Sequence, residues 1–209
     1  MISDYQQSLR ERFLSVPVIA PPVPWHPVPN GLIPIGGLLG IGFALAPDGG
    51  RDLVMVVSIH GHGLFDAVTV EKIARERDPD PDGSTPDAAP DLSCPGLGPI
   101  ASTRVCIAGL FGGGLHTTTE GGWTLEVVSP EWPHDRILLS TDGGIPHNKP
   151  HGEGWWHIFD SNYSELRAAG FSPSGRTLAV ATSSDLTLWT RRTHDAEHSA
   201  GELGRSPAT

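Results

Sequence analysis

The sequence has few cysteines and no long apolar run, and each absence excludes a class of protein. Cys94 and Cys106 are the only cysteines in 209 residues, too few for a disulfide framework in a chain long enough to bury a core. The longest apolar stretch, 31–46, contains Pro34 and several glycines, and it falls short of the roughly 18 residues that a membrane-spanning helix needs. The first residues lack the cationic and then apolar order of a signal peptide. We therefore expect a cytoplasmic protein with no membrane partner.

Basic residues are scarce as well. The chain has 14 lysines and arginines against 24 aspartates and glutamates, which gives a formal net charge of −10. A protein that binds the nucleic-acid backbone needs a basic face, so we expect no nucleic-acid partner. Many of the acidic residues lie in the segment 76–91, which leaves the rest of the surface closer to neutral.

Glycine and proline, in contrast, are abundant, with 26 and 20 residues. They are scattered between short apolar segments rather than spaced at a fixed period, which predicts many tight turns. The apolar segments are rich in Val, Ile, Leu and Trp, as β-strands are. They cover residues 53–59, 104–108, 123–128, 136–139, 156–159 and 178–182. We predict an all-β, antiparallel fold, either propeller-like or a β-sandwich or barrel.

The ends of the chain differ from this β-rich middle. Residues 5–14 have apolar side chains near one face and predict a short helix, with Asp4 as its cap. The prolines that follow favour an extended arm. The predicted parts are an N-terminal helix and proline-rich arm (1–30), a single β domain (31–191) with an acidic loop (78–91), and a disordered tail (192–209).

The segment 168–191, AAGFSPSGRTLAVATSSDLTLWTR, has the pattern of a hairpin followed by a third strand. Pro173 and Gly175 suit the turn between the first two strands. The segment resembles one blade segment of the WD40 β-propellers. The matching positions are Phe171, Ser172, Pro173, Gly175, Leu178, Asp185, Thr187, Leu188 and Trp189. The segment 42–75 repeats the order more weakly, with Phe43, Pro47, Gly49, Arg51 and Leu53. The resemblance implies a propeller-like fold.

Histidine and tryptophan are concentrated in the segment 132–157, among glycines and prolines. Adjacent tryptophans on an extended chain point to opposite faces, so one of them is expected near solvent, where it would anchor a ligand. Loops of this composition on a β scaffold are typical of recognition surfaces. The predicted binding residues are Trp132, His147, His151, Glu153, Trp155 and Trp156.

A metal site is a second interpretation of the histidines. On a strand, His60 and His62 would project from one face, and Asp66 follows four residues later. This segment resembles the first motif of the cupin family, in which two histidines and a carboxylate hold a metal inside a β-barrel. With His157, the resemblance implies a site for a divalent metal such as zinc or iron.

The sequence thus supports three functions. We predict a non-catalytic binding module, without a cofactor, that recognises a protein or peptide through the loops of 132–157. The alternative is a metal-dependent enzyme of cupin-like or other barrel type, with a metal-bound water as the reactive species. A third hypothesis is a structural piece that completes a larger β assembly through an open sheet edge.

Overall fold

A computed structural model of the protein describes residues 3–77, 85–86, 89–141 and 149–191. The prediction of an all-β, antiparallel fold with a short N-terminal helix is confirmed. The predicted tail and most of the predicted acidic loop lie outside the described residues.

The helix comes first in the chain, and the strands follow it. The helix α1 spans Asp4–Ser15. The strands are β1 Trp25–Pro34, β2 Leu38–Leu45, β3 Asp52–Ser58, β4 Gly61–Asp66, β5 Lys72–Glu76, β6 Ser93–Pro95, β7 Arg104–Cys106, β8 Ala108–Gly109, β9 Thr124–Glu131, β10 His134–Ser140, β11 Trp155–Asp160, β12 Leu166–Phe171, β13 Thr177–Thr182 and β14 Asp185–Arg191.

These strands form four antiparallel sheets. The strand orders are β5-β4-β3-β2-β8, β1-β14-β13-β12, β11-β10-β9 and β6-β7. The N-terminal strand β1 pairs with the C-terminal strand β14, with Trp25 opposite Arg191. The predicted boundary at residue 30 therefore falls inside a strand, and part of the predicted arm belongs to the β domain.

The sheets are stacked as layers that share buried side chains. The strands β3 and β13 are almost wholly buried along their length, because both of their faces are covered. On one face of β13, Ala179 and Ala181 pack against Val54 and Val56 of the five-stranded sheet. The opposite face of β13 packs against the three-stranded sheet, and the far face of β3 packs against the two-stranded sheet. The four-stranded sheet thus lies between the five-stranded and three-stranded sheets.

The helix α1 covers the outer face of the three-stranded sheet. Its cap is Ser3 rather than the predicted Asp4, because the Ser3 hydroxyl accepts from the Gln6 N–H and Gln6 bonds back to the Ser3 backbone. Phe13 packs against Leu138 in a shared apolar cluster. Among the described residues, no helix has the length and apolarity needed to cross a bilayer.

The two segments that resemble one another in sequence also fold alike. Each forms a hairpin followed by a third strand, β2-β3-β4 in one and β12-β13-β14 in the other. The hairpin turns contain Gly49 and Gly175, both with positive φ, where glycine avoids the strain of a side chain. The WD40 resemblance itself stays a prediction.

Candidate functional site

The structure does not collect the predicted Trp and His residues into one surface. Trp155 is 1 % exposed, and its ring lies edge-on to Phe13 of the helix, with 5.9 Å between centroids. Its indole N–H donates to the Lys149 carbonyl at 2.9 Å. Trp156 points to the opposite face of β11 and packs on the core between the three-stranded and four-stranded sheets, 6.1 Å from Trp123. Both tryptophans are thus packing residues.

Trp132 is the exposed member of the set. It is 84 % exposed in the turn between β9 and β10. In the sheet, Arg136 near this turn pairs with Asp160, whereas Ser140 pairs with Trp155. Trp132 therefore lies at the opposite end of the three-stranded sheet from Trp155.

The remaining members of the predicted surface also differ in environment. Half-buried His151 packs edge-on against Trp155 with 4.9 Å between ring centroids, and burial lowers the pKa of its imidazole. Glu153 is exposed in the adjacent turn. His147 lies outside the described residues. The structure therefore brings together His151 and Trp155, while Trp132 stands apart.

The predicted metal ligands are separated as well. Ser58 pairs with Gly61, so His60 lies in a two-residue turn between β3 and β4 rather than on a strand. His60 is exposed, whereas His62 on β4 is 4 % exposed. Burial lowers the pKa of His62, and the Glu76 carboxylate opposes that shift. The two histidines border one small cavity of about 200 Å³, but they do not share a strand face.

The other two predicted ligands are already bonded elsewhere. The Asp66 carboxylate accepts from the Arg51 guanidinium at 2.7 Å and from the Val68 N–H at 2.8 Å. His157, in a different sheet, has one ring nitrogen 3.3 Å from the Val16 carbonyl and the other 3.0 Å from the Phe159 carbonyl. Both ring nitrogens thus face backbone carbonyls rather than an open position, and a neutral imidazole donates to only one of them. In the described part of the chain, no group of three or more His, Cys, Asp or Glu side chains is placed to hold a metal.

A larger groove lies between the five-stranded and four-stranded sheets, and we call it the inter-sheet groove. It has a volume of about 740 Å³, within the range of about 300–1,000 Å³ typical of ligand pockets. Five separate segments line it: the start of β1 and the end of β14, together with the β2–β3, β4–β5 and β12–β13 turns. The side chains with chemistry to offer are His26, Arg51, Asp52, Arg176, Thr177 and Arg191.

A buried carboxylate lines the inter-sheet groove and connects the two sheets beside it. Asp52, 3 % exposed, begins β3, and its Oδ2 accepts hydroxyl hydrogen bonds from Ser172, Ser174 and Thr177 at 2.7–2.8 Å. These bonds join the two sheets at their turns. Asp52 Oδ1 is buried without a hydrogen-bond partner.

The three arginines beside the inter-sheet groove differ in their ion pairs. Arg51 contacts Asp66 at 2.7 Å and Asp48 at 3.5 Å. Arg176 and Arg191 are half-buried cross-strand neighbours, since the Arg191 N–H donates to the Arg176 carbonyl at 3.0 Å. Within the described residues, neither has a carboxylate within ion-pair distance.

Arg191 is also held in a fixed position. Its guanidinium carbon lies 5.8 Å from the centroid of the Trp25 ring, which forms a cation–π contact. Gly121 leaves room for the guanidinium, because a Cβ there would lie 2.9 Å from one of its terminal nitrogens. The Arg191 Nε is buried without a hydrogen-bond partner. This arginine is therefore fixed by packing on the face of the four-stranded sheet that meets the three-stranded sheet, and its Nε is closed to a ligand.

Sequence reasoning missed this groove, although a signal for it was present. Both repeated turns place an arginine shortly after a glycine, Arg51 in PDGGRD and Arg176 in PSGRT. The structure brings these two turns to the same groove. The residues that follow the arginines, Asp52 and Thr177, bond to each other across the sheets at 2.8 Å. The repeat thus marks the two sides of the groove.

Comparison with protein-family models, with curated proteins and with solved structures finds no match to this chain.

Proposed function

We propose that the chain is a non-catalytic binding module that recognises a protein or peptide, and that the inter-sheet groove receives the bound segment. The observation that carries the proposal is the size of the groove together with its mixed polar and apolar lining. The groove is large enough for a few residues of an extended chain, and polar His26 and Thr190 line it beside apolar Val28 and Val68.

The surroundings of the groove support binding rather than catalysis. A hydrolytic or acid–base site needs a nucleophile or base aligned with a partner that activates it. Here the hydroxyls of Ser172 and Thr177 donate to Asp52, so they are used in holding the sheets together. Exposed Val68 on the β4–β5 turn adds an apolar contact at the edge of the groove.

The test is a selection of displayed random peptides on the immobilised full chain, followed by affinity measurements on the selected peptides. A Val68→Trp variant fills the groove entrance. Val127→Trp is the matched control, because both valines are 46 % exposed and Val127 lies on β9, away from the groove. We expect the selected peptides to bind the wild type and Val127→Trp alike and to bind Val68→Trp at least tenfold more weakly. Failure to select any peptide, or equal binding to both variants, would overturn the proposal.

A further inference from the structure

We infer that a small cavity at the edge of the five-stranded sheet binds a short aliphatic carboxylic acid, with the carboxylate at Lys72 and Arg75 and the chain against an apolar wall. We call it the edge cavity; it is the cavity of about 200 Å³ that His60 and His62 border. The described residues that line it all differ from those that line the inter-sheet groove, since β3 borders the groove with its first residue and the edge cavity with its last. The inference therefore goes beyond the proposed function.

A β-bulge in the edge strand β5 brings the two cations to one face of the sheet. Arg75 is opposite Gly63 in the ladder of β4 and β5, and Lys72 is opposite Phe65. Ile73 is the additional residue between these pairs, so Lys72 and Arg75 lie on the same face although they are three positions apart. This face looks toward the four-stranded sheet, because Phe65 packs in the core between the two sheets. Both side chains line the edge cavity.

The two cations have no competing anion. Of the described residues, no carboxylate lies within ion-pair distance of Lys72 or Arg75, and no Asp or Glu lines the edge cavity. Glu76 follows Arg75, but it is opposite His62, which is in turn opposite Val57. Val57 packs on the other face of the sheet, toward the two-stranded sheet, and so Glu76 belongs to that face. In a chain of net charge −10, an external anion is attracted to such a cavity.

An aromatic ring positions one cation and forms part of the wall. The Lys72 Nζ lies 5.4 Å from the centroid of the Phe65 ring, a cation–π contact. The same ring leans over Gly63, because a Cβ there would lie 3.0 Å from the Phe65 Cε2. The ring thus extends toward the strand position that Arg75 faces. A carboxylate beside the two cations therefore has an apolar surface next to it.

The remaining wall is aliphatic. Ile33 and Ile35 are half-buried, pack against the core between the two sheets and line the edge cavity together with Val56 of β3. Each methylene group that leaves water for this wall strengthens binding. The volume of about 200 Å³ is below the range of about 300–1,000 Å³ typical of sites for larger ligands, so the edge cavity fits a short chain rather than a peptide segment.

The probe is hexanoate, titrated into the full chain labelled with nitrogen-15 and followed by the amide NMR signals of Gly61, Gly63 and Phe65. Hexanamide has the same shape without the charge, and acetate has the charge without the chain. We expect hexanoate to shift these signals saturably and to bind at least tenfold more tightly than either matched ligand. Arg75→Gln should weaken hexanoate binding about tenfold, and Arg75→Lys should weaken it less, because lysine keeps the charge but loses the planar fork. Lys72→Gln, the second variant, should also weaken binding.

The matched control is Arg10→Gln, which removes the same charge from an exposed position on α1, outside the edge cavity. The amide spectrum of each variant shows whether it is folded. If Arg10→Gln weakens binding as much as Arg75→Gln and Lys72→Gln do, the attraction is a general charge effect and the site is wrong. Hexanamide binding as tightly as hexanoate would overturn the carboxylate, and acetate binding as tightly would overturn the aliphatic chain. The absence of a saturable shift with hexanoate would overturn the whole inference. None of these results depends on the displayed-peptide selection, so failure here and failure of the proposed function are distinguishable.

Discussion

The helix-covered sheet, α1 with β9 to β11, and the inter-sheet groove both contain polar and aromatic side chains, but they use them differently. In the helix-covered sheet, Trp155 is buried, its N–H is bonded, and Arg136 donates to the Phe13 carbonyl and lies 3.9 Å from Asp160. Beside the groove, Arg176 and Arg191 have no acidic partner among the described residues.

This difference teaches where to look for a site. Aromatic and histidine residues that are close together in sequence can be buried and hydrogen-bonded within the fold, as Trp155 is under α1. Polar groups that remain unsatisfied after packing identify the surface on which a ligand adds bonds that the protein does not make itself.

The largest expected effect on stability distinguishes a buried tryptophan of the helix-covered sheet from an exposed one. Trp155→Ala should lower the free energy of unfolding by about 3–5 kcal/mol, because it leaves a cavity under α1. Trp132→Ala, at a side chain that is 84 % exposed, should change it by less than about 0.5 kcal/mol. Urea denaturation of the full chain measures both. A comparable loss in the two variants would mean that Trp132 also packs against the fold.

The next largest effect on stability is expected at Asp52, the buried carboxylate beside the groove. Asp52→Ala removes the shared acceptor of three hydroxyl groups and should cost about 2 kcal/mol of unfolding free energy. Asp52→Asn keeps an acceptor oxygen and should cost less. Denaturation of both variants is the measurement. A stability of Asp52→Ala within about 0.5 kcal/mol of wild type would show that Asp52 does not join the sheets.

Much of the fold could be predicted because local patterns determined it. The predicted segments 53–59 and 178–182 match β3 and β13, since short apolar runs bounded by turn residues form buried strands. The strand β1 was missed because Pro27 and Pro29 argue against a strand. They are tolerated there because β1 is an outer strand whose N–H groups are not all needed.

The site could be predicted far less well, because it depends on which strands become neighbours. Strand alternation correctly placed Trp155 and Trp156 on opposite faces, but it could not show that α1 would cover the first and the sheet core the second. The groove brings Arg51 and Arg176 together from turns 125 residues apart, counted as the difference 176 − 51. Local sequence patterns do not show which distant strands pack together. The only sequence feature that pointed to the groove was the similarity between its two glycine–arginine turns.

Buried histidines should make the helix-covered sheet sensitive to acid. Burial is the main cause that lowers the pKa of His157 below its ordinary 6.5, so the folded state holds it neutral while the unfolded chain takes up a proton. Stability is therefore complete above pH 6.5 and declines as the pH falls below it, until the folded imidazole is itself protonated. Thermal unfolding between about pH 7.5 and 5 should show a falling Tm.

A His157→Gln variant should flatten that decline, because glutamine does not titrate. His60→Gln, in the exposed turn of β3 and β4, is the control and should leave the pH profile of Tm unchanged. An unchanged profile in His157→Gln would assign the acid sensitivity to other groups, with buried His62 as the next to replace.

The smallest effect tests the comparison most directly, because the same substitution is made in each region. Arg136→Gln should cost about 1.5 kcal/mol of unfolding free energy, since it removes a charged donor from the Phe13 carbonyl. Arg176→Gln relieves a repulsion with Arg191 and should leave stability unchanged or raise it by about 0.3 kcal/mol at low salt. Any gain should vanish at high salt, where the repulsion is screened.

A loss of stability in Arg176→Gln as large as that in Arg136→Gln would mean that the Arg176 guanidinium already forms stabilising bonds within the folded chain. The contrast between the two regions would then disappear.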